Sequence, residues 1–281
     1  MPPTLPPLRD VIQRFGLNAR KSLGQHFLLD SNITDKIVHM SGDFSDTHVA
    51  EIGPGPGGLT RSLLQSDANR IYAIEKDERC VAALGELVEA YPDRLRIIAQ
   101  DALEFSCMKT LPAPRAIVAN LPYNIGTPLL FGWLADVATH GAESYRFLTL
   151  MFQKEVAERI FAPHGSKAYG RLSIMTQWLC DVEHCFDLPA SAFTPPPKVA
   201  SSVIRLTPLR QPRFPANQKT LQAVLAAAFG QRRKMLRSSL SQIVSDTQSW
   251  LEATGIDPTR RAETLSIEEF CMLARTCPVQ M

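Results

Sequence analysis

From position 47 onward the apolar residues come in short runs separated by longer amphipathic stretches. His48–Ile52, Arg70–Glu75, Leu95–Ala99 and Arg115–Ala119 read as buried strands, and Leu59–Gln65 and Glu78–Tyr91 read as the helices between the first three. This alternation predicts an α/β fold with a parallel, doubly wound Rossmann-like sheet. Tyr145–Phe152 predicts a further strand feeding a helix over Lys154–Phe161, and Val182–Asp187 and Ser202–Leu206 predict two later strands around a proline-rich loop. Upstream, Leu8–Phe15 predicts a short helix closed by Gly16, followed by a glycine-containing loop over Lys21–Asp30 and a helix over Asn32–Met40. Downstream, Pro208–Pro215 contains three prolines and reads as a linker. Beyond it Leu221–Phe229, Met235–Val244 and a last helix opening at Thr264 predict an all-helical segment. The economical division is a first domain over residues 1–210, with 1–45 as its N-terminal helical extension, and a smaller helical domain over 211–281.

The composition is that of an ordinary globular protein: 281 residues, 45% hydrophobic and 21% charged. No apolar run approaches the roughly 20 residues of a membrane helix, and Met1–Pro7 lacks the apolar core of a secretory signal. A cytoplasmic protein without a membrane partner is expected. The six cysteines (80, 107, 180, 185, 271 and 277) form no C-x-x-C pair. Reduced thiols and no metal site are therefore expected. The net charge of +2 hides an asymmetry: Leu188–Ser245 holds nine basic residues and no acidic one, leaving about −7 for the rest. Scattered surface lysines and arginines are the bland reading, and an anionic partner such as nucleic acid is the sharper one.

Glu51-Ile52-Gly53-Pro54-Gly55-Pro56-Gly57-Gly58 sits where the first of these strands meets the first of these helices. Gly53, Gly55 and Gly58 satisfy G-x-G-x-x-G and Glu75 follows near the end of the second strand, a spacing shared with nicotinamide-dinucleotide enzymes. The prolines argue against that competitor. A pyrophosphate is held by backbone N–H groups in this turn, and Pro54 and Pro56 have none to give. S-adenosylmethionine carries no phosphate and needs only that the glycine backbone lie close to its amino acid and ribose. Glu75, at the carboxyl edge of its strand, can accept from both ribose hydroxyls, and Asp101, in the equivalent place on the third strand, can accept from the cofactor's adenine amine. Either acid alone would read as a helix cap or an ion-pair partner; two at successive strand ends favour the cofactor.

The fourth strand runs into Asn120-Leu121-Pro122-Tyr123. An aromatic amine is a poor nucleophile because its lone pair is delocalised into the ring. Accepting hydrogen bonds from its hydrogens draws the nitrogen toward a tetrahedral shape, and the Asn120 side-chain carbonyl and the Leu121 backbone carbonyl are suitable acceptors. Pro122 stiffens the turn so that the two converge, and Tyr123 offers a flat face for a base that has left its helix. Catalysis would then consist of positioning and electrostatics, without a strong base.

These residues, with several longer motifs in order, resemble the ribosomal RNA adenine dimethyltransferases in their small-subunit branch. The resemblance runs from about residue 18 to 275 and rests on Lys21–Leu28 (KSLGQHFL), Glu51–Gly58, Ala119–Leu130 (ANLPYNIGTPLL), Gln153–Val156, Ser166–Ser173 (SKAYGRLS), Ala192–Val199 (AFTPPPKV), Phe229–Lys234 (FGQRRK) and Gly255–Pro258. It implies dimethylation, by S-adenosylmethionine, of two adjacent adenosines near the 3′ end of small-subunit ribosomal RNA, with an immature small subunit as partner; nothing in the sequence calls for more than a monomer. Carried over residue by residue, the implied cofactor contacts are His26, Leu28, Gly53, Glu75, Asp101 and Asn120. His26 departs from the asparagine usual in the family; an imidazole cannot donate and accept from one end as an amide does. Phe193, read alone a core aromatic before a stiff loop, is implied to lie near the target base opposite Tyr123, with Lys198 near RNA phosphate. Arg232, Arg233 and Lys234 are implied to dock the RNA, although neighbours on a helix cannot all share one face. The rivals are the erythromycin-resistance branch acting on large-subunit RNA, the mitochondrial branch with its transcription factors, and a non-catalytic RNA-binding protein. The T-P-L-L and F-T-P-P-P-K-V forms and the intact Asn120–Tyr123 turn favour the small-subunit enzyme.

Overall fold

The computed structural model describes residues 5–17 and 25–279. The Lys21–Gly24 half of the first motif lies outside them.

In chain order the strands are β1 (Phe27–Leu28), β2 (His48–Ile52), β3 (Arg70–Glu75), β4 (Leu95–Ala99), β5 (Arg115–Asn120), β6 (Leu148–Gln153), β7 (Cys180–Leu188), β8 (Phe193–Thr194) and β9 (Ser201–Pro208). Seven of them form one sheet in the order β4-β3-β2-β5-β6-β9-β7, while β1 and β8 pair as a two-residue antiparallel ribbon. Strand β2 pairs in parallel with both β3 and β5, and the parallel array continues to β4 on one side and β6 on the other. Strand β9 reverses direction against β6, from Leu148↔Leu206 to Gln153↔Ser201. The expected doubly wound sheet is present, with this antiparallel insertion added at one edge.

The central strands are apolar on both faces because both faces are covered: Val49, Ala50, Ile71, Ala73, Ala116, Ile117 and Val118 are fully buried. The strand order reverses between β2 and β5, so their carboxyl ends lie side by side at the switch point where open α/β sheets bind ligands.

The helices are α1 (Leu8–Arg14), α2 (Ser31–Ser41), α3 (Gly58–Leu64), α4 (Glu78–Ala90), α5 (Cys107–Thr110), α6 (Gly126–His140), α7 (Lys154–Ile160), α8 (Arg171–Leu179), α9 (Gln218–Gly230), α10 (Leu236–Ser239), α11 (Thr247–Ala253) and α12 (Ile267–Thr276). Helices α5, α6, α8 and α11 are not among those the pattern predicts, and the two longest of them escape the periodicity. Helix α6 carries few polar residues to mark an outer face, and six of the nine residues of α8 are buried, so neither shows an amphipathic stripe. The single helix expected over Met235–Val244 breaks into α10 and a 3-10 turn at Leu240–Gln242. Serine side chains bond back to local carbonyls there (Ser241 Oγ to Ser238 O, 2.9 Å), a competition that shortens helices.

The chain divides into two compact units, Met1–Ala157 with Glu183–Pro208, and Glu158–Val182 with Leu209–Met281. The second unit takes residues 158–182 in addition to the C-terminal helices, a difference from the single boundary expected near 210. The physical reason lies inside that unit. Helix α8 packs on α9 and α12, Tyr169 meets the Phe229 ring edge-on at 6.3 Å, and the Trp178 indole donates to the Phe214 carbonyl at 2.7 Å. All six cysteines are unpaired, four of them buried. Among the described residues no helix is long and apolar enough to cross a membrane.

Candidate active site

The turn after β2 is a run of left-handed glycines: Gly53 (φ +66°), Gly55 (φ +56°) and Gly57 (φ +91°), conformations that side chains disfavour. Gly58 is required for a different reason. A Cβ there would lie 2.5 Å from the Leu28 carbonyl oxygen, and one on Gly55 would lie 3.0 Å from the Phe27 ring. The glycines thus let β1 lie directly on the turn. The approach is reinforced by Gln25, whose amide donates to Asp77 Oδ2 at 3.1 Å. Asp77 caps α4 and is held to about 2, well below the usual carboxylate range, chiefly by its bonds from the Arg79 guanidinium.

Turn, loop and strand ends surround one cleft, lined by His26, Leu28, Gly53, Glu75, Asp101 and Asn120–Tyr123 among others. Every cofactor position expected from the sequence lines this one cleft. Glu75 is 6% exposed and accepts three backbone N–H groups: Gly55 at 3.1 Å, Lys76 at 2.9 Å and Asp77 at 2.9 Å. Burial still raises its pKa, with those bonds opposing the rise. Asp101 is more open; the Leu103 N–H and then the Lys76 ammonium, 3.1 Å from Oδ2, hold its pKa below normal. Glu51, at the end of β2, also lines the cleft. It is 1% exposed, its Oε2 has no hydrogen-bond partner among the described residues, and burial, opposed by the Thr60 hydroxyl, pushes its pKa up to about 8.

At the end of β5 the Asn120 amide nitrogen donates to the His26 backbone carbonyl at 3.1 Å, which leaves Oδ1 as the free acceptor of that side chain. Leu121 packs its side chain into the interior at 1% exposure. Tyr123 is half-buried, and its hydroxyl shares a hydrogen bond with Ser201 Oγ at 2.7 Å; burial raises its pKa and keeps the phenol neutral. The His26 ring stacks on Tyr123 with centroids 5.4 Å apart and planes inclined by 29°, and its Nδ1 lies 2.7 Å from the Pro195 carbonyl oxygen.

Two expectations need correction. Phe193 does not face the cleft: it is 2% exposed, belongs to the hydrophobic core and pairs through β8 with Leu28 of β1. Its apolar ring is worth more inside, the reading its sequence context alone had suggested. The Arg232-Arg233-Lys234 run is not helical, since α9 ends at Gly230 and the run lies in the turn that follows. Arg233 and Lys234 are exposed there, as is Lys198 in the first unit. Arg232 instead turns inward within the helical unit, donating to the Ser166 carbonyl at 3.2 Å and lying 3.8 Å from Glu263.

Sequence reasoning missed Glu51, Ser201, Lys76 and the Pro195 carbonyl. Only Glu51 left a signal, as a carboxylate inside the otherwise apolar run Val49–Ile52. The others depend on contacts between segments distant in the chain.

A family model described as "Ribosomal RNA adenine dimethylase" matches residues 16–277. The chain is 55% identical over 271 residues to the "Ribosomal RNA small subunit methyltransferase A" of Jannaschia sp., covering 96% of this chain and 93% of that protein. It is 54% identical to the protein of the same name from Paramagnetospirillum magneticum, with 96% and 94% covered. Among solved structures, a dimethyladenosine transferase from Plasmodium falciparum matches with a TM-score of 0.71 at 25% identity, covering 88% of this chain and 96% of that one. The 23S rRNA methyltransferase ErmE shares the fold, with a TM-score of 0.64 at 24% identity over 89% of this chain and 98% of that one.

A buried carboxyl whose pKa is raised on folding stabilises the fold below its unfolded value and loses that contribution as pH rises through the folded value. For Glu51 that window runs from 4.5 to about 8. The stability of the ligand-free protein against thermal unfolding should therefore fall between pH 6 and pH 9, by on the order of a few kcal/mol. Glu51→Gln should flatten this dependence and be the more stable protein at pH 9; parallel pH curves for the two would refute the assignment.

Proposed function

We propose, since the chain belongs to the ribosomal RNA adenine dimethylase family, that it uses S-adenosylmethionine to dimethylate two adjacent adenosines near the 3′ end of small-subunit ribosomal RNA. The substrate is an immature small ribosomal subunit, and the reading implies a cytoplasmic, monomeric enzyme. The observation that carries it is the convergence of the glycine turn, the two strand-end acids and the Asn120–Tyr123 turn on one cleft.

The cleft suits the cofactor on its own chemistry. Glu51 offers a buried oxygen with no partner, suited to a cationic amino group. Glu75, fixed by three backbone N–H groups, still has lone pairs for ribose hydroxyls, and Asp101 is open enough to accept from an adenine amine. Gly53 lets the backbone come close, with Pro122 next to the place where its Cβ would stand. Bound S-adenosylmethionine supplies a methyl group activated by a cationic sulfur.

The remaining work falls to this chain. The bond from its own amide nitrogen to His26 orients Asn120, so that Oδ1 accepts a hydrogen bond from the target amine. The Leu121 backbone carbonyl takes the second amine hydrogen. Tyr123 provides the stacking face, steadied by Ser201. The nitrogen gives up its proton to water after the methyl has arrived, so no side chain acts as a strong base. The helical unit docks the RNA, with Arg233 and Lys234 on phosphate and Lys198 contributing from the first unit.

Labelled cofactor incubated with immature small subunits and, separately, with large subunits should label only the small ones; labelling of large subunits alone would overturn the assignment. In the same assay Asn120→Ala should abolish transfer while cofactor binding, measured by calorimetry, is weakened and still detectable.

Replacing Arg233 and Lys234 by alanine should weaken RNA binding and reduce the slope of log affinity against log salt by roughly 1 to 2. Arg232→Ala should chiefly lower thermal stability. An unchanged salt slope in the double variant would remove those two residues from the interface.

A further inference from the structure

We propose that the His26 side chain is a place-holder for the target base: it occupies the stacking face of Tyr123 and leaves it when an adenine enters. The proposal rests on the reading of Tyr123 as the stacking face.

The rings stand too close for a base to slip between them. Inserting one needs roughly 7 Å between the outer rings, twice the ~3.4 Å rise between stacked bases, and the observed separation is 5.4 Å. An adenine on this face of Tyr123 therefore replaces the imidazole. Among the described residues the displaced ring makes a single hydrogen bond. A carbonyl oxygen only accepts, so Nδ1 carries the proton shared with Pro195, 2.7 Å away. Pro195 follows directly on β8, so the imidazole fills the space between Tyr123 and the Thr194–Lys198 loop, where Phe193 was expected to present its ring and does not.

The two halves of residue 26 have separate duties. Its backbone carbonyl receives the Asn120 amide and fixes the acceptor oxygen. Its side chain takes no part in that bond, so the imidazole can swing away without releasing Asn120. Substituting the side chain leaves the carbonyl in place, which makes the two duties separable by experiment.

The test uses the full-length protein saturated with S-adenosylhomocysteine, which fills the cofactor site, and adenosine as the probe. Calorimetry should show His26→Ala binding adenosine roughly three- to tenfold more tightly than the wild type, the gain from losing one ring contact and one hydrogen bond. In nuclear magnetic resonance spectra of the wild type, adenosine should move the His26 ring signals away from their Tyr123-shifted positions. Affinity equal to or weaker than wild type, failure of His26→Ala to bind adenosine, or ring signals that stay put with adenosine bound would each overturn the proposal. His26→Asn, small and polar, serves as the second variant should the alanine protein fail to fold, with the same gain expected. Tyr123→Ala separates the underlying reading: wild-type affinity in that variant would mean that Tyr123 is not the stacking face. Lost affinity there with no gain in His26→Ala would overturn the place-holder alone.

Discussion

Glu75 is the point at which the carboxyl edge of the sheet is tied together. Its two oxygens take N–H groups from the glycine turn after β2 and from the first residues beyond β3, so a single buried side chain sets the separation of two neighbouring loops. A carboxylate at 6% exposure is costly unless its oxygens are satisfied, and three backbone donors do so while leaving acceptor capacity toward the cleft. Glu51, on the adjacent strand and equally buried, has no such set of donors. Two carboxyl groups in neighbouring positions thus differ in their hydrogen-bond surroundings, while burial raises the pKa of both.

The second constraint is the close approach of β1 to the glycine turn. With a side chain at position 58 the Leu28 carbonyl would have to move. That would shift residues 26 and 27 with it, and Asn120 would lose the carbonyl that orients its amide. The glycines of this turn therefore do more than admit a ligand. They bring the segment before α2 onto the ends of β2 and β5, and the Asn120 side chain is oriented by backbone that precedes it by 94 positions. Gln25 and Asp77 pin the same segment from the other side, at the start of α4.

Much of this was legible in the sequence because it depends on local chemistry. The parallel strands announce themselves as apolar runs, the turn as four glycines in six residues, and the acids as carboxylates at strand ends. What was not legible falls into two kinds. Helix α6 buries one face but has few polar residues on the other, and α8 is buried on most sides, so neither shows a polar stripe and periodicity passes over them. The partners of the site residues come from distant segments: Ser201 for Tyr123, Pro195 for His26, His26 for Asn120. Phe193 shows the opposite error. The resemblance gave it a place at the base, while its own sequence context described a core aromatic, and in this chain the side chain follows the context.

The same contrast governs the charge. Counting along the chain finds nine cations between Leu188 and Ser245 without an acid among them, yet folding brings acids to three of them from outside the stretch. Arg205 lies 3.8 Å from Glu183, Arg213 pairs with Asp181 at 2.5 Å, and Arg232 lies 3.8 Å from Glu263. Lys198, Arg210, Lys219, Arg233, Lys234 and Arg237 remain exposed and without an ion pair among the described residues. Exposed ion pairs contribute little to stability, since solvent screens them, but they remove positive charge from the field that a polyanion meets. The surface available to phosphate is therefore smaller than the sequence window implies. Of the six, five belong to the helical unit, where Arg233, Lys234 and Arg237 flank the exposed Met235 within five residues of chain.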